Sequence, residues 1–307
     1  MALKANKILL IVIKIIVSSG LLYFVFERTG LSQILKTLSS INIAAFIAAV
    51  FLYVFAQLVS TFRWKLLLPE GIGFKKLFSL YMIGAFFNTF LPGIIGGDAI
   101  KGFYLYKTTG KVGLVLASVF MDRYLGLVVL IAICAVAFPF GYQYLQGTNI
   151  EWIFLAVILS FILGSFLFFG LRIGQQIKHL ADLYHYFHIY RNERGMVGKA
   201  LLLSVLVQFS GFSAVYILAL GFGQNIPFLS LLVYLPLIIL VAMIPISISG
   251  LGVREGAFVL FFGFIGVKPE AAAAISLSWF ISASAGSLIG LIEYVKYKKE
   301  QINITGQ

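Results

Sequence analysis

The chain has 307 residues, of which 61% are hydrophobic and only 11% charged, and its mean hydropathy is +1.03. A soluble domain carries about a quarter charged residues, so a soluble globular protein is excluded. The formal charge is +12, but no soluble basic stretch is present to hold nucleic acid, and the lysines and arginines read as loops facing anionic headgroups.

Lys4 and Lys7 precede an apolar run over 8–26. No small-x-small cleavage pattern follows, so the run reads as an uncleaved first span. Next, apolar residues at 31, 34, 35 and 38, with Asn42 behind them, predict a short amphipathic helix on the outer surface. Further apolar segments cover 43–62, 77–95, 112–139, 152–171, 200–221, 229–249 and 271–292. Two shorter apolar pieces, 99–106 and 256–267, follow the third and seventh of the eight segments. At ~1.5 Å per residue the first is too short to span ~30 Å of hydrocarbon and the second is marginal. The single cysteine, Cys134, lies inside an apolar run and reads as a small buried hydrophobe. Within 172–199, Ile177, Leu180, Tyr184 and Phe187 again have helical spacing. His179, His185 and His188 lie in the same loop, where no convergent cysteine or carboxylate cluster supports a metal site.

Loop charge sets the orientation. Residues 63–76 carry Arg63, Lys65, Lys75 and Lys76; residues 172–199 carry Arg172, Lys178, Arg191, Arg194 and Lys199; the tail carries Lys296, Lys298 and Lys299. Residues 141–151 and 222–228 carry no lysine or arginine. The first three regions are expected in the cytoplasm, with both termini, and the last two outside. These assignments agree if 77–107 forms a hairpin entering from the cytoplasm and 229–267 a hairpin entering from outside. The expected fold is therefore an all-α polytopic membrane protein in the plasma membrane. It has about six full spans and two re-entrant broken-helix hairpins, arranged as one transmembrane domain with inverted repeat halves near 1–151 and 152–307.

The two hairpin tips carry the chemistry. The first reads Leu91-Pro-Gly-Ile-Ile-Gly96-Gly97-Asp98 and the second Ile244-Pro245-Ile-Ser-Ile-Ser-Gly250-Leu-Gly252-Val-Arg254-Glu255. Pro92 and Pro245 lie almost half the chain apart, and each has a glycine five residues later. A break in the bilayer survives only where it is buried in protein or lines a wet cavity. Asp98 suits the N-cap of a helix over 99–106, and a second helix starts near Arg254. Such starts offer free N–H groups and a positive dipole end, and Lys101 and Arg254 lie on the first turns. Together these features suit a phosphate, with the guanidinium as a bidentate fork. The structural alternative is that Asp98 only caps its helix while Glu255 neutralises Arg254 or Lys101. Asp122-Arg123, a third charged pair, either extends a polar path or pins a tip.

Asn88-Thr-Phe-Leu-Pro92-Gly-Ile-Ile-Gly96-Gly97-Asp98-Ala-Ile-Lys101, then Asp122-Arg123, then the second tip through Gly250, Gly252, Arg254 and Glu255 resemble the membrane region of lysylphosphatidylglycerol synthases. The flippase-like family of the same architecture shares the pattern. The resemblance spans essentially the whole chain. It implies movement of an anionic phospholipid or polyprenyl-phosphate-type lipid between leaflets, with these residues binding substrate and no cofactor. Full-length synthases also carry a soluble lysyl-transfer domain; this sequence ends at Gln307 in a short polar tail, so lysyl transfer by this chain is not expected. The remaining readings are a membrane-embedded lipid-modifying transferase and a solute or ion transporter. The expected partners are anionic lipids, with a homo-oligomer left open.

Overall fold

A computed structural model describes residues 2–90, 96–148, 150–171 and 178–305. The expected Pro92-Gly93 break lies outside the described residues. The described chain is all helical: α1 (Ala2–Thr29), α2 (Leu31–Ser39), α3 (Ile43–Leu66), α4 (Phe74–Phe90), α5 (Gly96–Thr109), α6 (Val112–Gly141), α7 (Ile150–Ser165), α8 (Lys178–Asn192), α9 (Arg194–Gly221), α10 (Phe228–Ala242), α11 (Val253–Gly263) and α12 (Pro269–Thr305). A 3₁₀ turn at Tyr142–Tyr144 extends α6, and a π-helical turn at Phe166–Gly170 extends α7.

Among the described residues, five helical stretches are long and apolar enough to cross a membrane: Ile43–Leu66, Val112–Tyr144, Ile150–Gly170, Arg194–Gly221 and Pro269–Lys299. They carry five of the six full spans expected from the sequence, and the sixth, 8–26, lies within the unbroken helix α1. Hydrocarbon cannot satisfy backbone polar groups, so an apolar run in lipid becomes a helix. Local chemistry sets the ends. Asn42 caps α3, its Oδ1 accepting from the N–H groups of Ala44 (2.9 Å) and Ala45 (3.3 Å).

Two pairs of shorter helices sit among the spans. α4 packs on α5, and α10 on α11. With 17, 14, 15 and 11 residues, these four helices are only ~25, ~21, ~22 and ~16 Å long, each short of the hydrocarbon thickness. The tip between α10 and α11 turns through left-handed backbone at Ser249 (φ 50°), Gly250 (φ 76°) and Gly252 (φ 82°). Gly252 is required twice, because a side chain there would also strike Leu21 Cβ of α1 at 2.6 Å and crowd the backbone at Ser18 and Leu22. The Oγ of Ser18 accepts from Ile248 N–H at 2.8 Å, so α1 holds this tip in place.

The packing repeats across the chain. α4 lies on α12 as α10 lies on α6; α3 lies on α12 as α9 lies on α6; α2 lies on α12 as α8 lies on α6. At the centre α3 and α9 run antiparallel along their full length. Asn42 N–H donates to Gly221 O (3.2 Å) at one end, Ala49 packs with Ala214 and Leu218 in the middle, and Arg63 meets Ser204 at the other end. The two sequence-predicted amphipathic helices are α2 and α8. Ile34 of α2 is fully buried while Leu31 and Leu35 stay exposed, and Tyr184 and Phe187 of α8 are buried. Cys134 is buried in the largest apolar cluster, as expected.

Candidate functional site

Charged side chains meet where the two short-helix pairs approach each other. Asp122, on α6, is fully buried and sits at the centre. Its Oδ1 accepts from Arg63 Nε at 2.8 Å; its Oδ2 accepts from the Tyr81 hydroxyl at 2.9 Å and from Lys101 Nζ at 3.3 Å. Arg63 also donates from Nη1 to Ser204 Oγ on α9 at 2.9 Å. Lys101 stands 3.3 Å from Asp98 Oδ1 and lies over the rings of Tyr81 (4.1 Å) and Trp64 (4.9 Å). Arg123 grips Asp98 with a two-point fork, Nε to Oδ2 at 2.8 Å and Nη2 to Oδ1 at 3.0 Å. Three cations thus share two carboxylates, leaving one positive charge over.

The second cluster is self-neutral. Arg254 Nη2 and Nε donate to Glu255 Oε1 at 2.6 and 3.1 Å, and Ser276 Oγ bonds both partners. Glu255 Oε2 accepts from Gly252 N–H at 2.6 Å, closing the start of α11. The guanidinium of Arg254 lies 4.8 Å over the Phe280 ring.

Both clusters border one cavity of about 450 Å³, walled by α3, α4, α5, α6, α9, α10, α11 and α12. Asn88, Asp98, Lys101, Asp122, Arg123 and Arg254 all line it. The second tip touches the end of α4 at its edge, where the Ser249 hydroxyl donates to the carbonyls of Asn88 (3.3 Å) and Thr89 (3.2 Å). These are carbonyls of the last described turn of α4. Neutral polar groups join the lining, among them Gln57 and Gln208, the latter fixed through Nε2 to Gly126 O at 2.9 Å.

Several residue-level expectations need correction. Of the two roles open for Asp122 and Arg123, the contact of Arg123 with Asp98 at the start of α5 fits pinning of the first hairpin, while Asp122 pairs with Arg63. Lys101 lines the cavity as expected, but it is 1% exposed and already occupied by Asp98 and Asp122. The side chain that faces the opening is Arg123, 49% exposed. Asp98 is inside the first turn of α5 rather than capping it, since the helix begins at Gly96. The helix starts are not bare either: Gly97 N–H donates to Asn88 Oδ1 at 2.9 Å, and Gly252 N–H is taken by Glu255. Gly97 serves packing against Gly84, and Gly250 packs against Ala242. Glu255 is fully buried beneath Arg254. Sequence reasoning missed Arg63, Tyr81, Ser204 and Ser276. Arg63 was counted as a loop charge, and its extension of the α3 register was the signal available. Among the described residues no three His, Cys, Asp or Glu side chains converge as metal ligands, and His185 and His188 are exposed on α8.

Comparison with known proteins agrees with this architecture. A UPF0104 membrane protein of Methanocaldococcus jannaschii is 24% identical, covering 94% of this chain and 95% of its own length. One from Pyrococcus horikoshii is 24% identical, covering 96% and 98%. No solved structure matches the chain. Residues 11–290 match the family described as the lysylphosphatidylglycerol synthase TM region. The chain is a polytopic all-α membrane protein belonging to that family.

Proposed function

We propose that this chain is a lipid translocase, moving a lipid with an anionic phosphate headgroup, phospholipid or polyprenyl-phosphate type, between the leaflets of the plasma membrane. The observation that carries the reading is the surplus cation. Three cations held against two carboxylates leave the cavity wall with a net positive charge, which suits an anion. Arg123 is the natural contact, because Asp98 takes Nε and Nη2 while half of the side chain faces the cavity. Arg254 closes on the headgroup from the other side, and Asn88, Gln57 and Gln208 supply neutral hydrogen bonds.

The paired packing supports an inverted repeat with halves near 1–151 and 152–307. Helices α3 and α9 are equivalent in that repeat, and their antiparallel course supports opposite orientation of the halves. In this reading α4–α5 and α10–α11 are re-entrant hairpins entering from opposite faces. Rocking of the halves about the α3–α9 pair, with parting of Ser249 from Asn88 and Thr89, opens the cavity to each leaflet in turn.

Reconstitution in liposomes with leaflet-resolved lipid assay tests this. Arg123→Gln is expected to lower transport of an anionic phospholipid at least tenfold while the protein stays folded. Full transport by that variant would overturn the reading. Topology is checked separately. In a Cys134→Ala background, cysteines placed at 146 or 224 are expected to label from outside intact cells, and cysteines at 71 or 195 only after permeabilisation. External labelling of 195 would reject the cytoplasmic termini and the opposed hairpins together.

A further inference from the structure

Helix α6 has a second functional face. Asp122, Arg123, Gly126 and Leu127 turn toward the charged cavity, while Met121, Tyr124, Leu125 and Val128 line a different one, of about 960 Å³. That volume is at the upper end of the ~300–1,000 Å³ found for ligand sites. Its walls are α6, the π-helical turn after α7, and α9; α8 forms its roof. The roof is tied down at two points. The Tyr190 hydroxyl donates to Leu67 O at the end of α3 (2.9 Å), and the Tyr184 hydroxyl to Phe168 O in the π turn (2.8 Å). A π turn widens the helix by one residue, and here it sets Phe166 and Phe169 into the cavity wall.

The lining is divided by chemistry. The interior is apolar and aromatic, with Tyr124, Phe169 and Leu201, and the exposed ring of Phe166 borders it. The polar members His185, His188 and Arg191 recur every three residues along α8, and all three are exposed at the rim. Beside them Arg194 and Lys199 are also exposed, with the carboxylate of Glu193 between α8 and α9. An apolar slot roofed by an amphipathic helix with cations on its outer edge matches a lipid whose chain is in the slot and whose negative headgroup is at the rim.

The geometry points to a second, non-transported lipid site: an anionic phospholipid that inserts an acyl chain between α6, α8 and α9 and rests its phosphate on Arg191. Its chain would press on the back of the helix that carries Asp122 and Arg123. The site is independent of the surplus-cation argument and stands or falls by itself.

The test uses the full chain in phosphatidylcholine vesicles containing a trace of phosphatidylglycerol or phosphatidylcholine with a photoactivatable acyl chain. Cross-linked residues are mapped by peptide mass spectrometry. The phosphatidylglycerol probe is expected to label Tyr124, Phe166 or Phe169 at least threefold more than the phosphatidylcholine probe. Arg191→Gln should erase that preference, and Leu201→Trp, which fills the slot, should erase the labelling; Val128→Trp serves if Leu201→Trp does not fold. Arg123→Gln should leave the labelling unchanged. Equal labelling by both probes would overturn the anionic site, and loss of labelling in Arg123→Gln would make it a stage of the transport path. Absence of label with a dimer in light scattering would assign the face to a second copy of the chain.

Discussion

Asp122→Ala is expected to cause the largest loss of stability of any single charge substitution in this protein. The carboxylate is fully buried and accepts from Arg63, Tyr81 and Lys101, whose own exposures are 4%, 6% and 1%. Its removal leaves two cations buried with one fewer counter-charge, and breaking a buried pair costs about 3–5 kcal/mol. Total stabilities are about 5–15 kcal/mol, so the variant loses a large part of its margin. Thermal unfolding in detergent should show a fall in midpoint and a poor yield of monodisperse protein. The double variant Arg63→Leu with Asp122→Leu discriminates charge balance from lost contacts. It leaves Lys101 and Arg123 against Asp98, so the surplus of one cation persists, and much of the stability should return. A double variant as unstable as Asp122→Ala would show that the lost hydrogen bonds of Tyr81, Lys101 and the Arg63–Ser204 link, rather than charge balance, are what the fold requires.

This network explains which parts of the site could be read from the chain. Charges inside apolar runs are conspicuous because hydrocarbon penalises them, so Asp98, Lys101, Asp122, Arg123, Arg254 and Glu255 were all identifiable. Their pairing was not. Asp122 and Arg123 are adjacent, yet the 100° step of the helix sends one to Arg63 and the other to Asp98. In the second tip the sequence leaves Glu255 a choice of Arg254 or Lys101, and Arg254 is the partner because Glu255 is anchored by the turn of its own helix start. Arg63 was hidden by the rule that gave the orientation: near the end of a span, a lysine or arginine reads as a cytoplasmic loop charge. One more turn of α3 takes it inside, where it is 4% exposed. Tyr81, Ser204 and Ser276 carry no charge and sit in apolar helices, so nothing local distinguishes them from span residues. The spans themselves were legible because length and apolarity suffice to specify a helix in lipid.

Gly97→Ala is expected to disrupt the first hairpin by steric conflict alone, with no change of charge. Gly97 lies where α5 crosses α4, and a Cβ there would enter the space of the Gly84 carbonyl oxygen and come within 2.7 Å of the backbone nitrogen of Asn88. Backbone atoms of a packed helix cannot rotate aside as a side chain can, so the two helices must separate. Separation also strains the bond from Gly97 N–H to Asn88 Oδ1 and the grip of Lys101 on Asp122, one turn further along α5. Overpacking of this kind costs about 1–3 kcal/mol before those polar losses are added. Gly84→Ala meets the same crossing from the other side but less severely, at 3.0 Å from Gly97 O and 3.2 Å from Lys101 Cβ. Gly198→Ala is the control: it lies in α9 with nothing within 4 Å, and helix propensity alone should stabilise it by roughly 0.8–1.0 kcal/mol. The unfolding midpoints should therefore fall in the order Gly198→Ala, wild type, Gly84→Ala, Gly97→Ala. A Gly97→Ala protein as stable as wild type, with transport intact, would mean that α4 and α5 do not cross at this closeness, and the placement of Asp98, Lys101 and Arg123 around one cavity would fall with it.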